Sequence, residues 1–239
     1  MLTAKLQTPF TCSNLVHRNN LCEKLSDGLK KKLTLVSAPA GFGKTTLLCD
    51  WIVQNNITAA WYALDRNDND PAEFYKYLIT AIQAINKEFG QSALNLLNSS
   101  HRPGTESIIV LLSNDLLNIK SEFVLDGNDF HQISSKEIND IIAFLLDYLP
   151  VNMHIIISTR SDPTIPLARI RSQDQLNEFR VSDLGFSDAE IHDLFNRKLK
   201  LGLSKQDIHS LERKTEGWIA GLRLAALSLK TKDDISGYI

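Results

Sequence analysis

"SAPAGFGKTT", residues 37–46, decides how this chain is read. It follows the apolar run "LTLVS" (33–37) and precedes the helical pattern "LLCDWIV" (47–53), the strand–loop–helix order that a phosphate-binding loop requires. Gly41 and Gly43 let the backbone turn its N–H groups inward around phosphate oxygens. Lys44 brings a point charge to the terminal phosphates, and Thr45 brings a hydroxyl for Mg2+. The helix that starts there presents its positive end to an anion. The usual pattern has glycine where this chain has Ala38, but that position closes the strand, where smallness is the requirement. Ala38, Pro39, Ala40, Gly41, Phe42, Gly43, Lys44, Thr45 and Thr46 are therefore the expected nucleotide-binding loop, with ATP or ADP and Mg2+ as ligands.

Working outward, four more β-rich runs appear: "AAWYAL" (59–64), "EFVLD" (122–126), "HIIIST" (154–159) and "EFRV" (178–181). Most are continuously apolar, as strands buried on both faces are, and helical patterns separate them. Asp70-Pro71 opens one helix, with Phe74, Leu78, Ala81, Ile82, Ile85 and Phe89 on one face. Ser135 opens another, with Ile138, Ile141, Ile142, Leu145 and Leu149 inward and Pro150 at its end. Residues 90–106 read as the loosest part, a helix end and a loop.

After about residue 182 the pattern is helical throughout. Ser187 with Glu190 and Ser204 with Asp207 have the spacing of capping boxes, and "WIAGLRLAALSL" follows Gly217. The expectation is an α/β fold: the parallel sheet of a P-loop NTPase flanked by helices, with a small C-terminal helical subdomain. Residues 1–182 form the nucleotide-binding domain and 183–239 the helical subdomain.

The 239 residues include 26 Lys or Arg and 28 Asp or Glu, a formal net charge of −2, so no basic excess favours nucleic acid. Lys30-Lys31-Lys32 reads as a solvated cap before a strand. The three scattered cysteines have neither metal nor disulfide spacing, no apolar run approaches membrane length, and "MLTAKLQTPF" is no signal peptide. A cytoplasmic protein with no membrane contact is expected.

"SAPAGFGKTTL", "WYALDRNDNDPAEFYKYLITAIQ", "IIISTRSDPTIPLARIRSQDQLNEFRVSDLGFS" and "TEGWIAGLRLAALSL" together resemble the nucleotide-binding module of MalT-like ATPases. These STAND-class signal-transduction NTPases form the N-terminal part of LuxR-type transcriptional activators. The resemblance covers nearly the whole chain. It implies that the "IIISTR" strand lies between the phosphate-loop strand and the acidic strand, with Arg160 facing the terminal phosphate as a sensor. It implies Asp126 as a catalytic and Mg2+-holding acid and Asp129 as the acid that polarises water. The family has two adjacent acids, then an aromatic residue and a histidine, whereas this chain reads "FVLDGNDFHQI". Gly127-Asn128 either moves Asp129 several ångströms or loops out and restores it; the sequence leaves both open. His131 reads as a satisfied loop histidine. "LVHRNNLCEKL" resembles the segment folded against the base, with Val16 and Arg18 as candidate contacts or a plain helix lead-in. Trp218 reads as a core anchor of the helical subdomain.

The function so implied is a switch with slow Mg2+-dependent ATPase activity, changing conformation and self-association with nucleotide state. A sensor region and a helix-turn-helix would lie C-terminal, beyond "DDISGYI" (233–239), so this chain is expected not to bind DNA itself. Two other readings stay open. A phosphotransferase would use Arg160, Arg169 and Arg171 as a lid, and a hydrolysis-deficient module would bind nucleotide only.

Overall fold

Leu33–Ser37 forms strand β1, buried along its whole length, with Leu33 and Leu35 facing one helix layer and Val36 the other. Covered on both sides, the strand has no solvent face toward which its residues would alternate. The computed structural model describes residues 2–9, 15–99 and 104–229. Cys12, residues 100–103 of the loose segment, and "DDISGYI" lie outside the described residues.

The chain passes through a 3-10 turn (Thr3–Leu6) and α1 (Asn19–Gly28) before β1. After the loop come α2 (Lys44–Gln54), β2 (Ala59–Ala63), α3 (Pro71–Gln83), α4 (Gln91–Leu97) and α5 (Thr105–Leu116). Strand β3 (Phe123–Asn128) leads to α6 (Lys136–Asp147) and β4 (Met153–Thr159), then α7 (Leu167–Ser172) and β5 (Leu176–Phe179). Four helices follow: α8 (Val181–Leu184), α9 (Asp188–His192) running into a π turn, α10 (Lys205–Thr215) and α11 (Ile219–Leu229).

The five strands pair in the order β2-β3-β4-β1-β5, every pair parallel. β4 thus lies between β1 and β3, as the resemblance implied. One sheet face packs Leu35, Tyr62, Leu125 and Ile157 against Phe74, Leu78, Leu112 and Ile142. The other packs Val36, Trp61, Val124, Ile156 and Phe179 against Leu48 and Trp51 of α2 and Leu25 of α1. Each such side chain stabilises the fold by about 1.5–3 kcal/mol relative to exposure. A third cluster joins Phe186, Ile191, Phe195, Ile208, Leu211 and Leu222. Membership changes from the sheet cluster at Leu184 to the helical cluster at Phe186.

Local chemistry explains the helix starts. The Asp70 carboxylate accepts from the Ala72 and Glu73 N–H groups ahead of Pro71. Ser187/Glu190 and Ser204/Asp207 form the capping boxes their spacing suggests. Ser135 caps α6 without a side-chain bond; the Asn69 Oδ1 instead accepts from the N–H groups of Ser134 (2.7 Å) and Ser135 (2.8 Å).

The secondary structure departs from the sequence reading at several elements. β5 begins at Leu176, and Val181 already belongs to α8, because the Arg180 N–H donates to Asp183 Oδ2 at 2.8 Å and starts a helix. Residues 91–97 and 105–116 are helical, where the periodicity arguments gave a loose segment and nothing beyond it. Among the described residues, no helix is long and apolar enough to cross a membrane.

Candidate functional site

The loop closes over the C-terminal edge of the sheet, where open α/β folds bind ligands. Gly41 and Gly43 adopt φ of +82° and +77°, backbone that only glycine enters freely. Ala38 is buried and its N–H donates to the Thr159 carbonyl at 3.2 Å, so a small residue at the end of β1 suits its place. Lys44 Nζ donates to the carbonyls of Ala38 (2.7 Å) and Pro39 (3.0 Å), and burial holds its pKa below the usual lysine value. An ammonium has three donors, so one remains for a phosphate oxygen.

The acidic strand is where the structure corrects the sequence. Gly127 and Asn128 do not loop out. They continue β3, opposite Tyr62 and Ala63 of β2, and the Asn128 carbonyl accepts from Leu64 N–H at 2.9 Å. Asn128, not Asp126, then meets the Thr45 hydroxyl, which donates to its Oδ1 at 3.2 Å. Asp126 lies two residues earlier on the same face, opposite Trp61 and Ile156, with 0 % of its surface exposed and, among the described residues, no hydrogen-bond partner for either carboxylate oxygen. It acts on Cys49, one turn beyond Thr45 on α2, whose thiol is pushed up to about 12 by burial and by Asp126. The expected metal and catalytic role of Asp126 fails for this reason: the extended strand sets it one helical turn below the loop.

Burial raises the Asp126 carboxyl to about 8. Its folded-state pKa exceeds the unfolded value of about 4, so the folded state holds the extra proton between them, and stability falls as pH rises through that window. Below the window the penalty is absent; above it the penalty is complete. Asp126→Asn is therefore expected to raise the melting temperature at pH 8 and leave it unchanged near the unfolded carboxyl pKa of about 4. A gain of equal size at both pH values would assign the effect to packing.

P-loop sites hold Mg2+ with the loop Ser or Thr and an acid from a neighbouring strand. Thr45 fits the first requirement. The residues at the second do not fit, because Asn128 offers a neutral amide there.

Asp129 leaves β3 at φ +59°, its carboxylate half-exposed and 3.8 Å from His131 Nδ1. Asp129 and Arg160 both act electrostatically on Lys44, and Lys44, Asp129 and Arg160 all act on His131. These four residues thus share one corner at the ends of β3 and β4. Burial and the Arg160 and Lys44 charges hold His131 below the ordinary histidine value. Its Nε2 lies 3.3 Å from Gln132 Nε2, while its Nδ1 is buried with no hydrogen-bond partner among the described residues, so the loop histidine is only half satisfied.

No protein-family model matches the chain. It is 33% identical over 229 residues to the HTH-type transcriptional regulator MalT of Yersinia pestis (strain Pestoides F), covering 95% of this chain and 25% of that protein. Over nearly its whole length the chain is similar to a part of this regulator. The MalT of Yersinia enterocolitica is 31% identical over 228 residues, and again 25% of it is covered. The chain spans a quarter of the length of these curated relatives. Among solved structures, a STAND protein with a tetratricopeptide repeat sensor from Pyrococcus horikoshii superposes with a TM-score of 0.68 at 17% identity, covering 95% of this chain and 31% of that one. A Walker-type ATPase of Pyrococcus abyssi gives 0.60 at 16%, covering 97% and 72%. The fold is that of the P-loop NTPases.

In this MalT-like chain the N-terminal candidates are already engaged. Arg18 bonds Glu190 through Nε (2.7 Å) and Nη2 (3.0 Å) and donates to the carbonyls of Leu184 (2.7 Å) and Gly185 (2.8 Å). It also stacks over Phe186, 4.6 Å from the ring centroid. Val16 is buried in the helical cluster. The two side chains tie the start of the chain to the helical part, where four of the five Arg18 N–H donors are already engaged.

Trp218 is the converse case. It is 37% exposed, and its Nε1 donates to the Ala40 carbonyl at 2.9 Å, while the Ala220 N–H donates to the Gly41 carbonyl at 3.1 Å. A Cβ on Gly41 would lie 2.5 Å from Trp218 Nε1, so the close approach also requires glycine there. Trp218 is thus a strut on the phosphate loop, where the sequence suggested a core anchor. Arg169 pairs with Asp147, and Arg171 with Glu178 at 2.8 Å, which draws the Glu178 carboxyl down to about 2. Neither arginine is spare for a lid.

Proposed function

We propose that this chain is the adenine-nucleotide module of a longer LuxR-type transcription regulator in the cytoplasm, and that ATP and ADP set the position of its helical part. The observation that carries the reading is the seat of Trp218 and Ala220 on the carbonyls of Ala40 and Gly41. Any loop movement that accompanies phosphate binding is transmitted directly to the start of α11. The loop N–H groups between Ala38 and Thr46, the Thr45 hydroxyl and the third Lys44 donor would hold the phosphates, and Arg160 would read the terminal one.

ADP lacks the γ-phosphate, so it forfeits the Arg160 contact with that group, leaves Lys44 with the β-phosphate alone, and favours a different arrangement. Moving a two-state equilibrium from mostly off to mostly on needs about 5.5 kcal/mol of differential binding. A few charge-assisted bonds at about 1.5–3 kcal/mol each approach that figure, with inducer and self-association contributing the rest. Asp129 would be the carboxylate that polarises an attacking water, and turnover would be slow, resetting the switch. A sensor region and a helix-turn-helix elsewhere in the longer protein would supply inducer and DNA binding.

Amide hydrogen exchange over residues 217–229 tests the coupling. It is expected to differ between the free, ADP-bound and ATP-bound protein. Nucleotide uptake that leaves this segment's exchange the same in all three states would remove the switch and leave a plain binder.

A further inference from the structure

We infer that Asn128 makes this site hold nucleotide with little need of a divalent cation. The inference rests on the nucleotide reading above and concerns what that site asks of its ligand.

In P-loop NTPases an acid beside the loop hydroxyl draws a dication to the phosphates. In this chain the side chain bonded to the Thr45 hydroxyl is an amide, 2% exposed for the residue as a whole. Its Oδ1 takes the Thr45 proton, and its Nδ2 is buried with no partner among the described residues. An N–H donor at that place repels a cation and offers a bond to a phosphate oxygen or to an ordered water. Ser158 follows Ile157, which pairs with Gly127 across β3 and β4, and its buried Oγ, likewise unpartnered among the described residues, adds a second neutral donor.

Neither nearby carboxylate replaces the missing charge. Asp126 is enclosed between β3 and α2, one turn below Thr45. Asp129 turns out of the strand, half-exposed beside His131. Hard dications seek anionic oxygens, and this site supplies only hydroxyl and amide oxygens at the loop. Phosphate charge is met instead by Lys44, Arg160 and the start of α2.

The test is ADP binding by calorimetry, in magnesium and in EDTA, for the wild type and Asn128→Asp. Wild-type affinity is expected to change less than about threefold between the two buffers, and Asn128→Asp to gain a magnesium dependence on the order of tenfold. A wild-type affinity that falls tenfold or more in EDTA overturns the inference while leaving nucleotide binding intact, and that comparison stands even where the variant fails to fold. A folded Asn128→Asp protein as indifferent to magnesium as the wild type overturns it too. No ADP uptake in either buffer overturns both this inference and the reading on which it rests.

Discussion

Lys44→Ala is expected to weaken ADP binding on the order of a hundredfold while the fold survives. Lys44 is 8% exposed, and its ammonium donates to the Ala38 and Pro39 carbonyls and has one donor left for phosphate. Charge-assisted bonds of this kind contribute about 1.5–3 kcal/mol each, and the variant loses both the phosphate bond and the brace on the loop. Calorimetric titration gives the affinity, and thermal melting reports whether the fold is retained. A folded variant that binds ADP within threefold of the wild type would end the case for the loop as the phosphate site. This measurement comes first, because the helical coupling and the role of Asn128 both presuppose it.

The largest stability effect is expected far from the loop. Lys5, in the 3-10 turn at the chain start, is buried and donates to the Asp68 carboxylate at 2.6 Å, with Asp65 at 3.2 Å. Its ammonium also lies 4.4 Å from the Tyr77 ring centroid. Asp68 has no exposed surface, and its second oxygen accepts from the Asp65 N–H at 2.6 Å. Lys5→Ala leaves a buried carboxylate without its cation, which costs about 3–5 kcal/mol. Asp68→Asn in the same chain removes the orphaned charge and should recover a large part of that loss. Urea unfolding of the single and double variants measures both, and a single-variant loss below 1 kcal/mol would show that water reaches Asp68. The turn lies alongside β2, an outer strand of the sheet, and so helps cover an edge that would otherwise offer unpaired backbone.

What could be read from the sequence was local. The loop, the strand positions, the Asp70 cap and both capping boxes depend on residues within a few positions of one another. The place of β4 between β1 and β3 followed from the resemblance. What could not be read depended on length or distance. Two aspartates in "DGNDF" drew attention to charge, but the strand's extent decides which residue meets Thr45, and β2 supplies pairing partners as far as Asn128. The amide one position before Asp129 was the available signal, since counting Asn128-Asp129 as the pair that closes the strand needs no insertion. Arg18 finds Glu190 across 172 positions and Trp218 finds Ala40 across 178, and no periodicity connects such partners. α5 escaped notice for a different reason. Ile108, Ile109, Leu112 and Leu116 are all buried, while Val110 is exposed and Leu111 partly so, which blurs the stripe that marks an amphipathic helix.

The Arg18 clamp also has a consequence for biosynthesis. Its carboxylate partner is encoded 172 residues downstream, so at about 5–20 residues per second a ribosome needs roughly 10–30 s to deliver it. Throughout that interval the nascent leader carries a guanidinium and a valine with nowhere to dock, while the first strand and its loop are already outside the tunnel. A late stitch in the assembly therefore joins residues that were made early.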